Sequence, residues 1–137
     1  MTRVMHLAGW TLVTVFSFGL IQAAVHAQDT EGAKPKHAIK DVMKGAHMPP
    51  EGGGKSLRER VIGGDASDEE KKQLLDFYIS LVENDPPRGE ADAFKKKAGA
   101  VALAAAKIVV GREGATEELT KATNCAACHR EHKPPTQ

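Results

Sequence analysis

The sequence predicts an all-α protein, an antiparallel four-helix bundle. Three observations predict it. No stretch sustains the alternation of apolar and polar residues, rich in β-branched side chains, that marks a strand. Apolar residues instead recur at helical spacing in four segments. Clusters of Gly and Pro separate these segments by short links, which favour antiparallel neighbours.

The first predicted helix covers Lys34–Met48 and stops at Pro49-Pro50; Ile39, Val42, Met43 and Ala46 follow the i, i+3, i+4, i+7 rule. Glu51-Gly52-Gly53-Gly54 is a flexible break, after which Leu57–Ile62 adds a short helical piece closed by Gly63-Gly64. The second long helix opens at Ser67, with Glu70 completing a capping box. Asp68, Glu69 and Glu70 suit the positive end of its dipole. Its stripe is Leu74, Leu75, Tyr78, Leu81 and Val82, and Asn84-Asp85-Pro86-Pro87 ends it. The third runs from Glu90 to Gly111, and its stretch Ala98–Ala106 is small nearly all round. Such small residues either let helices approach closely or leave room for a porphyrin between them, and the second is the expectation here. The fourth begins near Thr116, carries Glu117 and Glu118 in its first turn, and ends before Pro134-Pro135.

Composition narrows the function classes. Nineteen basic residues against 18 acidic ones give a net charge of +1 over 137 residues, so no basic excess points to nucleic acid. Aromatics are scarce, with one Trp, one Tyr and four Phe. Residues 1–27 have the layout of a secretory signal: Arg3 as the positive start, the uncharged run Leu7–Ile21, and small residues Val25 and Ala27 at the −3 and −1 positions. A spanning helix wants about 20 apolar residues, so cleavage after Ala27 is expected rather than a retained anchor. Removing 27 residues leaves 110, residues 28–137, as one domain in an oxidising compartment beyond the cytoplasmic membrane, with no stable membrane contact. Phe77, Tyr78 and Phe94 are its only aromatics.

The chemistry lies near the C-terminus. Cys125-Ala126-Ala127-Cys128-His129 is C-x-x-C-H, the attachment sequence of c-type haem. On a helix, residues i and i+3 share a face, so both thiols reach the two vinyl groups of one porphyrin. His129 follows directly and becomes the proximal iron ligand. The rival readings are weaker. Structural zinc sites usually gather two separated pairs of ligands, whereas Cys125, Cys128, His129 and His132 fall within eight residues. A thioredoxin-like pair wants a βαβ setting, which is absent.

Only eight residues follow His129 and none is Met, so any sixth ligand comes from upstream. The segment Cys125–Lys133 resembles the C-x-x-C-H-x-x-aromatic-basic ending of the cytochrome c-prime and cytochrome c-556 family, the class II c-type cytochromes. Lys133 matches the basic position and is expected at the haem; His132 stands where the family has an aromatic residue. The resemblance implies a four-helix bundle around one covalent haem c. It also implies two alternatives at the iron. The c-prime branch leaves the distal side open and binds gases such as NO and CO. The c-556 branch supplies a Met from the first helix, which Met43 resembles.

Met43 is thus the best candidate for the sixth ligand. His47, at i+4 from it, is the nearest rival, while His37 is expected at the surface. Met on haem iron raises the potential and suits outer-sphere electron transfer. The expectation is an exported, periplasmic monohaem electron carrier rather than an enzyme, working with redox partner proteins. Relatives of the c-prime branch often pair through their first helices, which allows a homodimer. Lys95-Lys96-Lys97 is read as a solvated helix face.

Overall fold

Polar caps start two helices where Ser stands three residues before Glu. In the computed structural model, which describes residues 34–135, Ser67 Oγ accepts from the Glu70 amide while the Glu70 carboxylate accepts from the Ser67 amide. Helix α3 (Asp68–Glu83) follows from this box. Ser56 and Glu59 make the same reciprocal pair ahead of α2 (Leu57–Gly63), and Gly64 at φ 79° ends α2 in the left-handed region that glycine tolerates.

The other elements are α1 (Ile39–Val42), which runs into a π-helical turn (Met43–His47), α4 (Ala91–Val109), α5 (Ala115–Ala122) and α6 (Cys125–His132). Every element among the described residues is helical, as the sequence predicts. The predicted signal, residues 1–27, lies outside the described residues. No helix among the described residues is long and apolar enough to cross a membrane.

Two predicted helices differ from expectation. The first is shorter: residues 34–38 are not helical, and the α-helix relaxes into the π turn after Val42. Gly45 permits this. A side chain there would come within 3.0 Å of the Phe77 ring, so only glycine lets the turn press against α3. The last predicted helix is two helices, broken at Thr123-Asn124. Thr123 Oγ1 donates to the Leu119 carbonyl at 2.7 Å, and the Asn124 side chain accepts from the Ala127 amide at 3.0 Å. Such local side-chain bonds compete with a continuous helical ladder.

The core is aliphatic, as the scarcity of aromatics requires. Val42, Leu74 and Leu119 are fully buried, and Phe77, Tyr78 and Phe94 join the same cluster. Helix α4 packs against both α3 and α5, and α2 touches the π turn, α3 and α5. Ala98, Ala104 and Ala105 are buried within this packing. The small residues at these positions let α4 lie close to its neighbours. Truncating Leu74 to Ala is expected to cost roughly 2–5 kcal/mol, because a fully buried leucine leaves a cavity the core fills only in part. Leu103→Ala, at a position 59% exposed, is expected to stay within about 0.5 kcal/mol. Urea midpoints of the two variants check the contrast.

Candidate haem-attachment site

The Asn124 cap fixes the start of α6 at Cys125. Both cysteines are free thiols; Cys125 is exposed, while Cys128 is half-buried against the apolar cluster. Burial pushes the Cys128 thiol above its ordinary pKa, Lys97 opposing. His129, on the next position, is exposed.

The far end of α6 is held firmly. His132 is 3% exposed and meets Phe94 edge-on, ring centroids 5.3 Å apart at 76°. Its Nδ1 lies 3.1 Å from the Arg88 carbonyl, which makes that nitrogen the donor. Arg88 in turn donates from Nε to the Glu131 carbonyl at 3.0 Å and from its terminal nitrogen to the Arg130 carbonyl, and Lys97 pairs with the Glu131 carboxylate. Thus His132 packs as a core ring against Phe94. Among the described residues no three His, Cys, Asp or Glu side chains gather as a metal-holding group.

A second set of side chains approaches α6 from its start. Arg58 of α2 donates from Nε to Thr123 Oγ1 at 2.9 Å, two residues before Cys125. The charge of Arg58 also acts on His47 of the π turn and on Tyr78 of α3. Tyr78 senses Cys125, and His47 senses His129. The His47 and Tyr78 rings lie 5.7 Å apart and tilted by 45°. Burial, then Arg58, then His129 lower the His47 pKa from 6.5 to about 4, so the imidazole is neutral at pH 7. Burial raises the Tyr78 pKa well above its usual value, and its hydroxyl is buried with no hydrogen-bond partner.

The other predicted residues are placed as follows. Met43 is half-buried and packs against the apolar cluster. Lys133 is exposed at the C-cap of α6. His37, expected at the surface, is half-buried, 3.2 Å from Asp76 Oδ2 and 4.7 Å from the Phe77 ring. Lys95 and Lys96 are exposed as expected, whereas Lys97 latches α6. Sequence reasoning missed Arg58, Arg88 and Gly89. Their roles come from contacts between residues 42 or more apart in the chain, for which no local pattern exists.

The residues present fit a haem better than a free metal ion. A haem asks the protein for two thiols on one helical face and one or two axial donors. Helix α6 supplies two thiols and an imidazole from Cys125, Cys128 and His129, and the Tyr78 hydroxyl of α3 is buried with no hydrogen-bond partner.

His47 makes stability pH-dependent in a definite direction. It takes up a proton near pH 6.5 in the unfolded chain and near pH 4 in the folded one. Below pH 6.5 the unfolded chain therefore binds more protons, and acid favours unfolding. The loss builds as pH falls from about 6.5 to about 4 and reaches at most about 3 kcal/mol. Urea titrations at pH 7 and pH 4.5, on the chain and on His47→Gln expressed without haem maturation, should show the variant losing less; parallel losses would contradict the burial of this ring.

Comparison with protein-family models, curated proteins and solved structures finds no match for this chain.

Proposed function

We propose that the chain is an exported monohaem c-type cytochrome that transfers electrons. The carrying observation is the C-x-x-C-H sequence at the start of α6, with both thiols free and His129 open to solvent beside them. In this reading Cys125 and Cys128 hold the haem and His129 is the proximal ligand. Bound haem supplies one-electron chemistry, the iron moving between ferric and ferrous states.

The chain's own residues hold and shape that site. Arg88, Gly89 and His132 fix the end of α6. The apolar surroundings of Cys128 and Tyr78 keep water from one side. The exposed Cys125 marks the edge at which a redox partner protein docks. The elements are read as an antiparallel four-helix bundle, with α5 and α6 as the two halves of its fourth leg. The signal is read as removed after Ala27, leaving the protein in the periplasm.

The π turn carries both upstream candidates for the sixth position, Met43 and His47. A second reading, a five-coordinate protein that binds gases, follows if neither reaches the iron; the packing of Met43 against the apolar cluster favours it in part. Absorption spectra of the ferric and ferrous haem-loaded protein, with and without carbon monoxide, separate the two. Electron transfer predicts a low-spin spectrum that carbon monoxide does not move. A high-spin ferrous form that binds carbon monoxide at once selects the gas-binding reading.

A further inference from the structure

Among the described residues, Arg60 Nε, Ser80 Oγ, His132 Nε2 and the Tyr78 hydroxyl are buried without a hydrogen-bond partner. Three of them have relief within the chain. Arg60 pairs through its terminal nitrogen with Glu70, and His132 Nε2 stands 3.3 Å from the Glu131 carboxylate. A serine hydroxyl inside a helix can turn toward the carbonyl one turn before it, so Ser80 needs no outside group. Tyr78 differs. Its hydroxyl sits at the end of a rigid ring and cannot reach its own backbone. The residue is 1% exposed. Leaving such a group unpaired is costly, and buried side-chain polar atoms nearly always have a partner. Burial also holds the phenol in its protonated form, so the group is a donor that lacks an acceptor.

Its location narrows the missing acceptor. Tyr78 belongs to the apolar cluster against which Cys128 packs. Among the helices of the described residues, α6 approaches α4 alone. A haem carried on Cys128 therefore meets this cluster from its first covalent bond, and no other helix is already packed against α6. The charge of Cys125 also acts on the Tyr78 hydroxyl. Apart from the ligands of its iron, the strong acceptors that a haem brings are its propionate carboxylates. A hydroxyl donating to a carboxylate makes a charge-assisted bond, roughly twice as strong as a neutral one.

We propose that the Tyr78 hydroxyl donates a hydrogen bond to a haem propionate in the loaded protein, which makes Tyr78 a positioning residue for the cofactor. This inference rests on the cytochrome reading above. The bond favours the ionised propionate and so lowers the pH at which that carboxylate takes up a proton. It also gives the hydroxyl opposite worth in two states of the chain: unpaired without haem, paired with it.

The test compares the full chain matured with haem and its Tyr78→Phe variant, which keeps the ring and removes only the oxygen. The propionate-bending band in the resonance Raman spectrum should shift in the variant. The pH at which the reduction potential starts to vary should rise by about one unit, the worth of one hydrogen bond to a charged group. The loaded variant should also melt below the loaded wild type. The same substitution in the chain expressed without haem maturation should leave the melting temperature unchanged or raise it, since an unpaired buried hydroxyl is removed. A propionate band and a potential profile that do not move overturn the proposal while the cytochrome reading stands. So does an equal loss of stability with and without haem, the result expected if an ordered water satisfies the hydroxyl in both. A wild-type chain that carries no covalent haem overturns both.

Discussion

Gly89→Val is expected to loosen α6 from the rest of the molecule while leaving α3 and α4 in place. Gly89 sits at φ 80°, a region that β-branched residues avoid, and strain of this kind costs about 1–3 kcal/mol. Space is lacking as well. A side-chain carbon at Gly89 would stand 2.9 Å from His132 Nδ1 and 3.0 Å from the Glu131 carbonyl. The ring cannot retreat, since it is wedged on Phe94, so the end of α6 moves instead. That breaks the bond from His132 to the Arg88 carbonyl and the two bonds from Arg88 to α6. Amide exchange of residues 127–132 should accelerate roughly ten- to a hundredfold, with the amides of α3 unaffected. Unchanged protection of α6 would show that its docking depends on something other than the Arg88-Gly89 loop.

Replacing Cys125 and Cys128 together by Ser is expected to remove covalent haem completely. A chain matured with the wild type's machinery should carry no haem after denaturing electrophoresis. The haem-free fold should change little, because the Asn124 cap and the His132 anchor hold α6 without either sulfur. The full consequence appears in the loaded protein. A group that binds only the folded state stabilises it, so the wild type should melt well above the double variant. Equal melting temperatures would mean that the haem does not contribute to the fold. The effect should be large here because the 110 residues after the predicted signal contain only Phe77, Tyr78 and Phe94 as aromatics, and a domain of that size gains proportionally less from burial.

Local signals in the sequence located most of the helices. The Ser67–Glu70 box, the Gly63-Gly64 stop and the Pro86-Pro87 break each act through neighbours within a few residues, and each stands where expected. Ser56 and Glu59 form a box of the same pattern that sequence reading passed over. The break before the cysteines was also written locally, in an Asn three residues ahead of Ala127, but the helical pattern ran across it and hid it.

What was not legible depends on distant contacts. The π turn needs the face of Phe77, 32 residues after Gly45. The anchoring of α6 needs Arg88 and Phe94. At the candidate site, the helical setting of Cys125, Cys128 and His129 was readable, because their spacing is local and all three stand on one helix. The distal side was not: Met43 and His47 are one helical turn apart, and their difference lies in their surroundings. Met43 packs against the apolar cluster, while the half-buried His47 ring lies against Tyr78.

The intact mass of the purified chain, denatured after expression with haem-maturation machinery, tests the cytochrome reading most directly. A chain heavier by one haem, with neither Cys125 nor Cys128 open to alkylation, is the predicted result. A mass equal to the polypeptide alone, with both thiols alkylated, would contradict it.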